Sequence, residues 1–205
     1  MLAFDQFLRE TAERGEAVNL VFERRLFDLV EILHMITDPL TAGNIPHELV
    51  GGLAVLVHVE EADPTQSMLT RDVDLMIQRS DLEQVIEIAE RHGFHFRHAA
   101  GLDTLLYGGS TSARNAVHLL FSGERVKANQ ATPNPDISPE RKRMLGQDVL
   151  VIPLADLLRM KLSSFRLMDQ VHVQVMDAAG LITPAVEKTL PEDLLVRLQD
   201  VRQSE

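Results

Sequence analysis

Two short segments constrain this chain more than any other feature. The first is His47-Glu48-Leu49-Val50-Gly51-Gly52-Leu53-Ala54, in which a glycine pair closes an apolar run and opens a helix-like stretch. The second is Thr70-Arg71-Asp72-Val73-Asp74-Leu75, which sets two aspartates two residues apart in a strand-like run. Side chains alternate along a strand, so Asp72 and Asp74 are expected on one face. Neighbouring carboxylates repel unless a positive charge lies between them, and a divalent cation held by oxygen is the usual solution. Backbone N–H groups at a helix start suit phosphate. Together the two segments point to a site for a metal and a nucleoside triphosphate.

The chain has 205 residues, 45% hydrophobic and 25% charged. That suits one globular unit, or one with a small helical appendage. Without cysteine there is no disulfide framework and no thiolate metal site. No signal peptide and no bilayer-spanning run are read in the sequence, and a cytoplasmic protein is expected. A net charge of −11 argues against a broad nucleic-acid surface, although Arg141, Lys142 and Arg143 form a small basic cluster. Aromatic residues are 4% with no Trp, which disfavours base-stacking platforms.

The periodicity predicts helices over residues 4–14 and 20–36, with breaks at Asp38-Pro39 and Gly43-Asn44-Ile45-Pro46. A strand over 47–51 and a helix from Gly52 to about Val59 follow. After a polar loop at 60–68 come a strand from Leu69 to Ile77 and a helix with Ser80 as N-cap and Glu83 at the capping-box position. Strands are expected over 94–98, 102–107 and 113–122. Residues 127–148, with Pro133, Pro135 and Pro139, form the least ordered-looking stretch. A short strand at 149–152, a helix after Pro153 and further helices to the C-terminus complete the pattern. The fold class is therefore α+β: a mixed β-sheet core backed by helices, with N-terminal helices (1–40), the core (41–152) and a C-terminal helical region packed on it (153–205).

The order Gly51-Gly52-Leu53-Ala54, then Arg71-Asp72-Val73-Asp74, then Pro153-Leu154-Ala155-Asp156-Leu157-Leu158-Arg159-Met160-Lys161-Leu162 resembles the nucleotidyltransferase superfamily with the DNA polymerase β-type fold. The small prokaryotic MNT and AbiEii-like branch is the nearest in pattern. The resemblance spans roughly residues 47 to 180. It implies transfer of a nucleoside monophosphate from an NTP, expected to be ATP, to a hydroxyl, with Mg²⁺ or Mn²⁺. Asp72 and Asp74 would be the metal ligands and catalytic carboxylates, and Gly51 and Gly52 the phosphate cradle. Arg71 and Lys161 would be candidate phosphate contacts. The acceptor would be a protein side chain, a small molecule or an RNA end.

The sequence departs from the pattern in two places: the loop at 60–68 is long, as an insertion near the site entrance would be, and one strand position differs. The strand Asn115-Ala116-Val117-His118-Leu119-Leu120-Phe121 should carry a third carboxylate, and His118 stands there. Imidazole is a poor ligand for Mg²⁺. A different metal site, a base role for His118 and loss of catalysis are all open readings. The last leads to a second function class: a degenerate fold that binds a nucleotide or a partner protein, within a toxin–antitoxin or defence pair or as a homodimer.

His92, His95 and His98 have metal-like spacing, but Gly93 breaks the helix and His95 and His98 alternate in a strand, so separate surface roles are expected. Residues 107–112 are glycine- and serine-rich and read as a turn between strands. His172 and Asp177 read as solvated helix positions.

Overall fold

A computed structural model describes residues 4–68, 70–108, 116–127 and 130–204, with side chains from residue 19 onward. The glycine- and serine-rich turn at 109–112, Leu69 and the expected strand start at 113–115 lie outside the described residues.

Helix α1 (Phe4–Ala42) leads into strand β1 (His47–Val50), which runs without a linker into α2 (Gly51–Ala62). Then come β2 (Val73–Ile77), α3 (Leu82–Arg91), β3 (Phe94–Ala99), β4 (Leu102–Tyr107) and β5 (Ala116–Phe121). A hairpin of β6 (Glu140–Met144) and β7 (Gln147–Val151) precedes α4 (Leu154–Ser164), α5 (Leu167–Ala178), α6 (Pro184–Glu187) and α7 (Glu192–Gln203). The strands form one seven-stranded mixed sheet in the order β3-β4-β5-β2-β1-β7-β6. β2 pairs in parallel with β5, and β1 with β7, while the other neighbours are antiparallel. The fold class is α+β, as the sequence predicts.

Helix α2 explains much of the packing. Gly52 to Val59 are all buried, so no stripe of this helix faces water. α2 packs on β2 and reaches α4 and α5. Its single imidazole, His58, is satisfied by donating from Nε2 to the carbonyl of Ile152 at 2.9 Å. Burial keeps that ring's pKa below its ordinary value.

Register decides which side chains share a face. Val50 lies opposite Asp74, and Asp74 opposite His118. Two residues along, Glu48 lies opposite Met76, and Met76 opposite Leu120. Alternation therefore puts Glu48, Val50, Asp74, Met76, His118 and Leu120 on one face of the three central strands. Leu49, Leu75 and Val117 occupy the other and are fully buried.

The structure corrects several expected boundaries. α1 is continuous through Pro39, where a break was expected. Buried Ile36 and Leu40 on either side hold the helix in place, and this packing outweighs the lost backbone donor. α3 is preceded by a 3₁₀ turn, so Asp81 rather than Ser80 stands at its N-cap, with no side-chain capping bond. β2 begins at Val73, leaving Asp72 just ahead of it. Residues 140–144 form a strand inside the stretch expected to be least ordered. The polar run Glu140-Arg141-Lys142-Arg143 carries no period-2 signal because it sits at the sheet edge, with three of these side chains exposed. Among the described residues no helix is long and apolar enough to cross a membrane.

Candidate functional site

The site begins at the junction of β1 and α2. Gly51 has φ +72°, and a Cβ added there would stand 1.9 Å from Asp74 Oδ2. Both facts require glycine: the backbone is left-handed, and the space is filled by a carboxylate. A Cβ on Gly52 would stand 2.5 Å from Thr70 Oγ1 and 3.4 Å from His172 Cε1. The glycine pair thus lets the start of a helix press directly on Asp74 and on the segment leading into β2. A carboxylate at a helix N-terminus is electrostatically favoured.

On its other side Asp74 meets His118, with Oδ1 3.4 Å from Nδ1. Both side chains are about three-quarters buried, at 25% and 29% exposed. The hydrogen bond to Asp74 raises the His118 pKa above the ordinary histidine value, burial opposes it, and the charges of Asp74 and Asp72 add to the rise. Asp72 is half-buried and near enough for its charge to act on His118. Among the described residues no group of three or more His, Asp or Glu side chains is arranged to hold a metal ion on its own.

Lys161 lies on α4 and is buried at 8% exposure. Its ammonium is 3.1 Å from Asp169 Oδ1, which is equally buried. A left-handed residue, Phe165 at φ 52°, turns the chain between α4 and α5 and brings the two together. Burial pushes the Asp169 pKa up, but Lys161, Ser164 and the backbone N–H of Arg166 together hold it below the ordinary value. The sequence reading of His172 as solvated is corrected: it is 8% exposed, and its Nδ1 is buried without a hydrogen-bond partner. Burial, reinforced by the charge of Lys161, lowers its pKa to about 4, so the ring is neutral. Asp177 is tied to Arg202 at 2.7 Å.

Asp74, His118, Lys161 and Asp169 line a common cleft of about 660 Å³. Arg71 is exposed, and the fold uses its backbone carbonyl, which accepts from Arg25 Nη2 at 2.6 Å. At the far end of the cleft Arg79 lies 3.2 Å over the ring of Phe121 and donates to Asp103 and, through two nitrogens, to Glu124. Asp103 also accepts from His98 Nδ1 at 2.5 Å. Of the three histidines with metal-like spacing, only His98 therefore joins the cleft.

Sequence reasoning missed Glu48. It is fully buried, its Oε2 accepts from the backbone N–H of Ser138 at 3.0 Å, and its Oε1 has no partner. Burial raises its pKa to about 7. A lone acid inside the apolar run His47-Glu48-Leu49-Val50 was the available signal.

No family model matches the chain, and no curated protein matches it. Ten chains of solved structures match in backbone course, among them two of ANT(2'')-Ia and one of LnuA. The antibiotic-resistance factor ANT(2'')-Ia in solution has 13% identity and a TM-score of 0.48, covering 85% of this chain and 83% of that one. The crystal structure of ANT(2'')-Ia with adenylyl-2''-tobramycin has 13% identity and a TM-score of 0.47, covering 85% and 97%. The lincosamide antibiotic adenylyltransferase LnuA, lincomycin-bound, has 14% identity and a TM-score of 0.49, covering 73% and 96%. At such identity, side-chain roles do not carry over from them to this chain.

Two predictions follow from the geometry. Gly51→Ala places a methyl group on the Asp74 carboxylate and strains φ, so it should lower stability by about 1–3 kcal/mol, read as the midpoint of urea unfolding; an unchanged midpoint would contradict the close approach. The two site histidines should titrate in opposite directions by NMR, His118 above about 6.5 and His172 near 4. The His118 pair stabilises the fold below the unfolded-state pKa and loses that contribution as pH rises through the folded value. His172 does the reverse: stability falls as pH drops from about 6.5 towards 4, because the unfolded ring takes a proton the folded one refuses. In Asp74→Asn the His118 pKa should fall, and an unmoved titration would break the assigned pairing.

Proposed function

We propose that this chain is a nucleotidyltransferase that moves a nucleoside monophosphate from an NTP to a hydroxyl acceptor. The observation that carries the reading is Asp74, wedged between the Gly51 turn and His118 at the wall of an open cleft. A largely buried carboxylate held by backbone and imidazole, with cations nearby, is arranged for a charged ligand rather than for packing.

Asp72 and Asp74 would hold a divalent cation. Two carboxylates suit a hard ion such as Mg²⁺ when phosphate oxygens complete its shell, and neither needs the His118 nitrogen as a third ligand. When bound, that cation would neutralise charge developing on the transferred phosphoryl group. The α2 N-terminus would orient the phosphates against Asp74. The acceptor oxygen bonds to the α-phosphorus as the bridging bond to pyrophosphate breaks, and His118 takes the acceptor's proton. Lys161 would act through Asp169 and the α4–α5 turn, since its charge is already matched.

One observation favours a second reading, a nucleotide- or partner-binding module without turnover. His118 replaces the expected carboxylate and engages Asp74 directly. α1 also leaves Leu20, Val21 and Phe27 more than half exposed, which suits a partner protein or a second copy.

Calorimetry with a non-hydrolysable ATP analogue and Mg²⁺ tests the first reading. Wild type should bind in a metal-dependent manner, and Asp72→Asn/Asp74→Asn should lose that binding while retaining its thermal unfolding transition. Equal binding by the double variant would remove these residues from the site. Metal-dependent binding with no pyrophosphate release across protein, RNA and small hydroxyl acceptors would favour the second reading.

A further inference from the structure

We infer that Arg125, on the loop after β5, is the residue that takes up the negative charge of a bound nucleotide's phosphates. The inference rests on the nucleotide-binding reading above and concerns which cation serves it.

The argument is one of available charge. A triphosphate needs positive partners, and the chain as a whole carries −11. Of the cations lining the cleft, Lys161 is matched by Asp169 at 3.1 Å. Arg166 lies 3.5 Å from the same carboxylate. Arg79 is held by Asp103 at 2.9 Å and Glu124 at 2.7 Å. Arg79 is thus over-matched by two carboxylates, while Lys161 and Arg166 share the single negative charge of Asp169, with buried Lys161 the nearer. Arg125 and Lys127 also line the cleft, and among the described residues neither has a carboxylate within ion-pair distance. Their charge, together with what Asp169 leaves of Arg166, is the part of the cleft's positive field still open to an anion.

Arg125 is also aimed. Its Nε donates to the carbonyl of Gln130 at 3.1 Å, and its Nη2 approaches that of Ala131 at 3.5 Å. One edge of the guanidinium is thereby fixed, and the Nη1 hydrogens remain for a ligand. The loop behind it is built for this. Gln130 and Asn134 are buried at 8% and 3% exposure. Gln130 Oε1 accepts from the backbone N–H of Val126 at 2.9 Å, and Asn134 Nδ2 donates to the carbonyl of Phe121 at 3.0 Å. Thr132 and Ser163 exchange hydrogen bonds at 2.7 and 3.1 Å, pinning the loop to α4. Two buried amides and a reciprocal bond hold an exposed arginine in one direction on the cleft that Asp74 and His118 also line. A pre-oriented planar guanidinium is suited to phosphate oxygens, and Lys127, a flexible point charge, is the weaker partner.

The test is calorimetric titration of the full chain with inorganic tripolyphosphate and with the ATP analogue plus Mg²⁺. Wild type, Arg125→Ala, Arg125→Gln and the distant control Arg141→Ala should be compared. Arg125→Ala should weaken both ligands by about tenfold to a hundredfold, while Arg141→Ala, paired with Asp148 outside the cleft, should bind as wild type. If Arg125→Ala loses its cooperative melt, Arg125→Gln gives the same readout, because it removes charge while retaining a donor for the loop carbonyls. Wild-type affinity for both ligands in a folded Arg125 variant overturns the inference and leaves the nucleotide reading standing. Absence of any nucleotide binding by wild type overturns both.

Discussion

The contact between Gly51 and the Asp74 carboxylate is the constraint on which the rest of the site depends. β1 passes into α2 with no intervening residue, so the turn must occur at Gly51. Its left-handed backbone and the missing Cβ leave a space that Asp74 fills from the neighbouring strand. The antiparallel register that puts Val50 opposite Asp74 makes this contact, and the parallel register of β2 with β5 delivers His118 to its other side. α2 cannot drift away from the strand, since its Gly52–Val59 segment is buried throughout. A carboxylate is thus held between a helix start and an imidazole.

Around this pair the protein reverses its overall electrostatic character. The chain is acidic, yet the cleft wall gathers arginines and lysines from the β2–α3 connection, the loop after β5 and the α4–α5 turn. Most of that charge is structural. Lys161 and Asp169 close the turn between two helices, and removing either partner would strand a buried ion. Arg79 stacks on Phe121 while bridging Asp103 and Glu124, joining three segments at the end of the sheet. His172 stays neutral beneath Gly52 chiefly because burial disfavours its charged form, and the nearby Lys161 adds to the effect.

The sequence made the central part of this arrangement readable. Gly51-Gly52 and Asp72-Val73-Asp74 are local patterns whose meaning depends on strand alternation and turn geometry, and the strand–helix–strand order follows from periodicity. The position of His118 in its strand could also be read directly. What could not be read depends on contacts between distant segments. His172 looks like a polar helix residue until α5 packs beneath the glycine turn. The described residues 122–127 and 130–134 are mostly polar, and they are held by buried Gln130 and Asn134 reaching backbone groups. Pro39 was expected to stop a helix, but tertiary packing of Ile36 and Leu40 carries α1 through it.

The central claim is that the Asp74 cleft, and no other concavity, receives a nucleotide. The most direct measurement is amide and imidazole NMR of the protein titrated with Mg²⁺ and a non-hydrolysable ATP analogue. The account predicts shifts concentrated at the Gly51 and Gly52 amides and the His118 ring. Shifts confined to the separate groove of about 570 Å³ beside α1, near Phe27, His34 and Met35, would contradict it.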